Sequence, residues 1–89
     1  MKIKLELFGA SRDFSKKDHL EIEVQEKDSV EDLRSKIIQY LDKNFKGNDN
    51  FIKIVKSSAF CSEKSEIISD NYKITKDQKI GIIPPIGGG

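Results

Sequence analysis

Residues 19–41, HLEIEVQEKDSVEDLRSKIIQYL, contain the change of hydrophobic period that decides the fold. From His19 to Gln25 apolar and charged residues alternate, which is the period of a strand with one buried face. From Val30 onward the apolar residues recur at the spacing of an amphipathic helix. The stretch therefore predicts a strand, a turn and then a helix over about residues 30–43.

The ends of this helix have sequence signals of their own. Ser29 is a favourable N-cap, since its hydroxyl can accept a hydrogen bond from a free backbone N–H of the first turn. Asp32 stands where the carboxylate of a capping box is expected. Asn44 and Gly47 are the predicted stop signals, because glycine tolerates the left-handed conformation that ends many helices.

Both flanks of the helix predict strands. Residues 2–8 alternate in the same way as the strand before the helix, and the polar stretch between the two runs indicates a β-hairpin. After the helix, residues 51–55 predict a third strand. Residues 79–83 predict a final strand, in which Gly81 marks a bulge or a close backbone approach. Residues 56–71 are expected to form short strands or a loop.

The order β-β-α-β-(β)-β predicts an α+β domain over residues 1–83. A single main helix has to cover one face of a mixed sheet, since neither element can bury its apolar side alone. This order fits the β-grasp (ubiquitin-like) fold, and another small α+β roll is the alternative. Residues 84–89 are expected to leave the domain as an extended, flexible tail.

Length and composition exclude several classes of protein. The chain of 89 residues is long enough for one modest core. Apolar residues make up 36% and charged residues 35%, and the net charge of +1 argues against a nucleic-acid binder. No apolar run approaches the roughly 18 residues that span a bilayer, and the N-terminus lacks a signal-peptide core. We therefore expect no membrane association and a cytoplasmic location.

The chain has few side chains suited to catalysis. Cys61 is the only cysteine and His19 the only histidine, so neither an intramolecular disulfide nor a thiolate metal site can form. We expect neither a cysteine–histidine dyad nor a serine–histidine–aspartate triad for the same reason. We expect no bound metal and no bound cofactor. Cys61 is expected to be a small buried hydrophobe and not a sulfur relay.

The last six residues, PPIGGG, indicate where unusual chemistry could occur. The Pro84-Pro85 step cannot donate to a sheet ladder, so the final strand stops there and the chain leaves extended. Glycines then form a thin tip that could thread into the active site of another protein. A carboxylate at this tip is a poor electrophile and would need activation, most simply by adenylation. The alternative is that the glycines form an inert end.

Three stretches carry a resemblance to a known family. Residues 28–34, DSVEDLR, resemble a helix start with the pattern Thr/Ser-Val-x-x-Leu-Arg. Residues 80–86, IGIIPPI, followed by Gly88 and Gly89, resemble an ending of apolar strand, Pro-Pro, aliphatic residue and Gly-Gly. Residues 3–14 are similar to the first strand and following turn of the same family. The chain thus resembles the small subunit of molybdopterin synthase, within the wider family of ubiquitin-like sulfur carriers.

The resemblance implies a sulfur-donor subunit with no catalytic side chains of its own. An E1-like adenylating enzyme would use ATP to activate the carboxylate of Gly89, and a sulfur donor would convert it to a thiocarboxylate. The tail would then enter the large subunit of the synthase, in an expected heterotetramer, and two transfers would build the dithiolene of molybdopterin. The residues of the tail that would enter the partner's active site, or direct the chain out of the domain, are Gly88, Gly87, Ile86, Pro85 and Pro84.

The resemblance also implies an apolar patch beside the tail that binds the partners. Phe8 and Ile83 fall where the family has docking residues, and Phe60 is a third candidate. The alternative is an ordinary core position, because alternation leaves the faces of Phe8 and Ile83 ambiguous. For Phe60 the core is the favoured interpretation.

Other functions stay open on the sequence. The chain could be a sulfur carrier of another pathway, such as thiamine synthesis or tRNA thiolation. It could be a protein modifier, in which the same activated glycine is joined to lysines. A plain interaction domain with an inert tail is a further alternative, and an independent enzyme is the least expected.

Overall fold

The computed structural model describes residues 1–46 and 48–85. In chain order the elements are β1 (Lys2–Leu7), a 3-10 helix (Gly9–Phe14), β2 (His19–Glu23), α1 (Val30–Asn44), α2 (Asp49–Ser57), β3 (Ala59–Cys61), β4 (Ile67–Ile68) and β5 (Gln78–Ile83).

The strands form one mixed sheet in the order β2-β1-β5-β3-β4. β1 and β5 run parallel at its centre, and every other neighbouring pair is antiparallel. A parallel pair requires a long crossover, and here everything between the hairpin and the last strand supplies it. The predicted hairpin, the main helix and the mixed α+β sheet are therefore confirmed.

The core lies between the sheet and α1. The alternation in β1 turns every second residue inward, and Ile3, Leu5 and Leu7 are at most 2% exposed. β5 contributes Ile80 and Ile82 to the same layer, and both are fully buried. The residues that α1 buries against them are Val30, Leu33, Ile37 and Leu41.

The start of α1 follows the predicted capping box. The backbone N–H of Asp32 donates to the hydroxyl of Ser29 at 3.2 Å, and the backbone N–H of Ser29 donates to the Asp32 carboxylate at 2.9 Å. Two donors that the helix leaves free are thus satisfied. The helix ends at Asn44, close to the predicted end, while Gly47 lies outside the described residues.

The prediction of a strand over residues 51–55 is wrong, because this stretch belongs to α2. Asn48 caps the helix, its side-chain oxygen accepting from the backbone N–H of Phe51 at 3.1 Å. Phe51, Ile54 and Val55 share one face at helical spacing, and Val55 is fully buried. A short apolar run of this kind is compatible with either period, so tertiary packing decides.

The stretch after α2 forms the short strands β3 and β4, as one of the two alternatives for it predicted. Arg34 of α1 holds this region in place. Its guanidinium donates to the carbonyl oxygens of Val55 at 2.6 Å and Ser58 at 2.8 Å, and to the Asp70 carboxylate at 2.8 Å. It also lies 4.8 Å from the centre of the Phe60 ring. One side chain therefore ties α1 to the end of α2 and the start of β3.

Within residues 1–46 and 48–85, neither helix has the length and hydropathy that a bilayer crossing requires.

Candidate functional site

An apolar patch covers one end of the sheet face that points away from α1. In the register of β3 with β5, Ala59 lies opposite Ile83. Cys61 lies opposite Gly81 on one side and opposite Ile67 on the other. Residues directly opposite each other project from the same face. With Phe8, which follows β1, these residues form what we call the outer-face patch: Phe8, Ala59, Cys61, Ile67, Gly81 and Ile83.

The outer-face patch is unusually exposed for its composition. Three large hydrophobic residues of the described chain are more than a third exposed, and two of them, Phe8 at 41% and Ile67 at 67%, belong to the patch. Apolar side chains grouped on an open surface commonly mark a protein-binding site. The patch surrounds the end of β5, so it also adjoins the point at which the tail begins.

Gly81 lies beneath two other residues of the outer-face patch, and it leaves room for both because it has no side chain. A Cβ at this position would come within 2.8 Å of the Cys61 Sγ and within 2.8 Å of the Phe8 ring. The ring and the thiol therefore lie directly over the glycine. The sequence predicts a bulge or a close backbone approach at Gly81, but the strand pairs regularly on both sides, and the groups that come close are the side chains of Phe8 and Cys61. The missing Cβ lets the aromatic ring rest on the sheet.

The 3-10 helix fixes the backbone beneath Phe8. The Ser11 hydroxyl donates to the carbonyl oxygen of Phe8 at 2.6 Å, and the Ser11 backbone N–H donates to the same oxygen at 3.1 Å. Ser11 itself is fully buried. Its role was not predicted from the sequence, although a serine three residues after an aromatic is a recognisable local turn pattern.

The base of the tail is anchored. Pro84 is buried, and its ring carbons lie 4.0 Å from the Cβ position of Gly9, whose φ of +55° favours glycine. Pro85 is exposed. A small cavity separates the two prolines from α2, and its walls are formed by Ala10, Asn50, Lys53, Ile54, Ser57, Pro84 and Pro85. The contribution of α2 to this region was missed, because residues 51–55 were interpreted as a strand.

The three predicted docking residues do not share one environment. Phe8 is exposed and Ile83 is half-buried at the outer-face patch, next to each other across the sheet. Phe60 points to the opposite face and is 1% exposed, so it has no surface to offer a partner. The core interpretation replaces the docking one for Phe60. Ile86, Gly87, Gly88 and Gly89 lie outside the described residues.

The described residues contain no group of three or more metal-binding side chains. Cys61 is a buried free thiol. The carboxylates with displaced pKa values lie elsewhere: the hydrogen bond from His19 lowers the pKa of Asp18, and that from Lys36 lowers the pKa of Asp28. The described residues of the site form an apolar surface beside the anchored base of the tail, Pro84 and Pro85.

Comparison with solved structures connects this architecture to known proteins. No family model matches the chain. Nor does any curated protein sequence. The structure of SAMP1 from Haloferax volcanii aligns with a TM-score of 0.69 at 14% identity, covering 100% of both chains. A Pyrococcus furiosus protein described as molybdopterin converting factor, subunit 1, aligns with a TM-score of 0.70 at 22% identity, covering 96% of this chain and 98% of that one.

A further structure, described as H. volcanii small archaeal modifier protein 1, aligns with a TM-score of 0.67 at 12% identity, over 96% of this chain and 98% of that one. Each of the three alignments covers 96% or more of this chain. The chain has the ubiquitin-like β-grasp fold. In this β-grasp domain the outer-face patch and the tail base occupy the end of the central strand β5.

Proposed function

We propose that the chain is a ubiquitin-like sulfur carrier, and specifically the small subunit of a molybdopterin synthase. One observation carries the proposal: β5 ends at Ile83 beside an exposed apolar patch, and the buried Pro84 then fixes where the tail departs. A partner that binds the patch would receive the tail in a defined direction. The fold and the Pro-Pro and Gly-Gly ending support the same assignment.

The proposed chemistry takes place on the carboxylate of Gly89. One carboxylate oxygen attacks the α-phosphorus of ATP on an E1-like partner, which forms an acyl adenylate and releases pyrophosphate. A hydrosulfide-level sulfur nucleophile then displaces AMP, giving the thiocarboxylate. When the thiocarboxylate sulfur bonds to a carbon of the pterin precursor, a carbon–oxygen bond at that carbon breaks, the oxygen leaves with a proton from an acid of the large subunit, and a thioester forms. Its hydrolysis leaves the sulfur on the acceptor and restores the Gly89 carboxylate.

In this proposal the chain and the large synthase subunit supply different parts of the reaction. Its sheet face offers apolar contacts, and its tail offers reach: from Pro84 to Gly89 an extended chain spans about 20 Å. The large synthase subunit would bind the pterin precursor and supply the acid–base groups. The chain itself holds no cofactor in this scheme, and ATP is consumed by the activating partner.

Intact mass spectrometry of the chain purified from its native cell tests the proposal. The expected result is a fraction of molecules in which one oxygen is replaced by sulfur, located by fragmentation on Gly89. Treatment with iodoacetamide should alkylate this sulfur, and a Cys61→Ser variant should still be alkylated there. A homogeneous carboxylate in cells that are actively making molybdopterin would contradict the proposal.

A protein modifier is the second candidate, and a specific observation favours it. Two of the aligned structures are described as SAMP1 and as a small archaeal modifier protein. In this case a lysine amine, instead of sulfur, would displace AMP and form an isopeptide bond. Peptide fragments of other proteins that carry the C-terminal residues of this chain on a lysine would establish the modifier. The two activities are not mutually exclusive.

Sulfur delivery to thiamine or tRNA precursors is another alternative. It would give the same thiocarboxylate without a pterin-binding partner.

A further inference from the structure

Among the strands of residues 1–46 and 48–85, β2 is one edge of the sheet, since its only neighbour there is β1. Hydrogen bonds at both ends of the β1–β2 pair show which backbone groups of β2 point toward β1. The N–H of Leu7 donates to the carbonyl oxygen of Asp18 at 3.0 Å, and the N–H of Val24 donates to that of Met1 at 2.8 Å. In an antiparallel pair, such hydrogen-bonded residues alternate with residues whose backbone groups point away.

The alternation turns the N–H and C=O groups of His19, Glu21 and Glu23 toward the open edge. Among residues 1–46 and 48–85, none of these backbone groups has a hydrogen-bond partner. The strand therefore offers a row of donors and acceptors to an additional strand. An edge of this kind is either protected or used for binding.

A groove runs beside this edge, between β2 and α1. Leu20 and Phe14 form its buried floor, and Tyr40 and Phe45 are half-buried in its wall. The side chains on its two sides come from the loop before β2 and from the outward face of α1. We call this region the β2–α1 groove, and define it by Arg12, Asp13, Phe14, Lys16, Lys17, His19, Leu20, Glu21, Glu23, Tyr40, Lys43 and Phe45.

The basic side chains of the β2–α1 groove are mostly unpaired. In the part of the chain that the structure describes, four exposed cations of the groove have no ion-pair partner: Arg12, Lys16, Lys17 and Lys43. Its acids are partly offset by other cations. Glu21 pairs with Lys2 at 3.9 Å, and Glu23 pairs with the N-terminal ammonium at 3.6 Å, which leaves Asp13 and, just before the strand, Asp18, whose contact is His19. The groove is thus positively charged, although the whole chain carries a net charge of only +1.

We propose that the β2–α1 groove binds an extended acidic segment of a partner protein, which adds to β2 as a further strand. Backbone hydrogen bonds to His19, Glu21 and Glu23 would supply affinity, as in other cases of strand addition. Apolar side chains at alternate positions of the segment would face Leu20 and Tyr40. Carboxylates at one end would meet the unpaired cations of the loop before β2. Five residues, about 17 Å, are enough to follow the strand.

This interaction is separate from the proposed sulfur chemistry. The groove lies along β2, whereas the outer-face patch is centred on β5 and β3, on the other side of β1. It needs neither the tail nor an activated terminus. A protein held in the groove could therefore remain bound while the tail engages a synthase or an activating enzyme.

Titration of the isotopically labelled full chain with a synthetic peptide tests the proposal by nuclear magnetic resonance. The probe is the blocked peptide Thr-Val-Thr-Val-Asp-Asp-Asp, and the comparison peptide has lysines in place of the aspartates. The expected result is a set of shift changes, with slowed amide exchange, at His19, Glu21 and Glu23. The lysine peptide should produce none of these changes.

Two further comparisons separate strand addition from simple charge attraction. The double variant Lys16→Glu/Lys17→Glu should weaken peptide binding by about tenfold, while Lys64→Glu/Lys76→Glu, with the same charge change elsewhere, should leave it nearly unchanged. A peptide methylated at its backbone nitrogens should fail to bind. Three outcomes would each overturn the proposal. The methylated peptide, or a thymidine oligonucleotide, could bind as tightly as the unmethylated acidic peptide, or the shift changes could be confined to the outer-face patch.

Discussion

Gly81 lies under the Phe8 ring, and its missing Cβ lets the ring reach the sheet. Gly81→Ala would place a methyl group 2.8 Å from the Cys61 Sγ and from the ring. We expect the exposed ring to swing outward, because the buried thiol has less freedom to move. The free energy of unfolding should fall by about 1–3 kcal/mol, the usual cost of overpacking.

The Gly81 prediction is checked by denaturant unfolding and by measuring partner binding. A Gly81→Ala/Cys61→Ala double variant should recover part of the lost stability, because the two side chains are in contact and their effects do not add. Equal stability of Gly81→Ala and the unmodified chain would mean that the ring does not pack on the glycine.

Phe8 provides a test of the docking role itself. Phe8→Asp should weaken the complex with a synthase large subunit by about 2 kcal/mol or more, since binding energy is concentrated in a few aromatic anchors. The free domain should remain folded, because the ring is 41% exposed. Tyr72→Asp, at a residue 37% exposed outside the patch, is the matched control for calorimetric titration. Unfolding of the Phe8 variant would support the core interpretation instead.

At the scale of elements, Arg34 is the side chain that connects α1, α2 and β3. Arg34→Lys keeps the charge but loses the planar fork that serves three acceptors at once. We expect a loss of about 1.5–3 kcal/mol in the free energy of unfolding, since buried carbonyl oxygens lose charged donors. Arg12→Lys, on the exposed surface of the 3-10 helix, should change stability by much less. Similar melting temperatures for both variants would contradict this role.

In the turn before α1, the titration of the Asp28 carboxylate should make the stability of the domain depend on pH. The carboxylate of Asp28 accepts from the Lys36 ammonium at 2.6 Å and from the Gln25 backbone N–H at 2.9 Å, and these contacts lower its pKa from the ordinary value of 3.8. A lowered folded-state pKa gives stability that is complete above the unfolded value and is lost as the pH falls through the folded one.

Asp28→Asn should therefore lower the melting temperature at neutral pH, and the difference from the unmodified chain should vanish as the pH falls well below 3.8. Asp42→Asn, exposed on α1, is the control and should change the melting temperature little at any pH. A difference for Asp28→Asn that persists at strongly acidic pH would assign the effect to packing and not to charge.

The two helices differ in how much of them could be predicted from sequence. α1 combines a long apolar stripe with a capping box that only a helix uses, so both its type and its start were predictable. α2 is nine residues long, and its apolar run carries no period that excludes a strand. What makes it helical is the Asn48 cap together with the packing of its aromatic residue against two others. The centre of the Phe51 ring lies 5.2 Å from that of Phe45 and 5.0 Å from that of Phe14, and a local pattern cannot reveal the contact with Phe14, which is far away in the sequence.

At the scale of the whole molecule, the candidate site could be predicted only in part. Phe8 and Ile83 were assigned by resemblance, and the structure adds the reason they lie together, since the ends of β1 and β5 are parallel neighbours. Phe60 was the third docking candidate although the core was its favoured interpretation, because alternation gives two faces without saying which one is buried. The positions of Ser11, Gly9 and the cavity beside Pro84 depend on tertiary packing, and single-sequence patterns carry no such information.

The tail tests the proposed function of the whole domain. Adding one or two residues after Gly89, or deleting Gly88 and Gly89, should abolish adenylation and sulfur transfer, because misplacing a reacting group by about 1 Å can cost about a hundredfold in rate. The melting temperature should hardly change, since a terminal glycine tip contributes few contacts. A circular-dichroism melt and an ATP–pyrophosphate exchange assay on the same variants measure both. Normal activation of an extended chain would contradict the assignment.

The parallel pairing of β1 with β5 also has a consequence for biosynthesis. The backbone N–H of Lys2 donates to the carboxylate of Asp77, 75 residues later, so the two central strands can pair only after synthesis has reached β5. A chain interrupted before β5 lacks the strand between β1 and β3, and its sheet would fall into two unsupported pieces. Translation therefore yields a folded domain only after the strand leading into the tail has been made. Chains terminated before β5 would therefore stay unfolded and open to proteolysis.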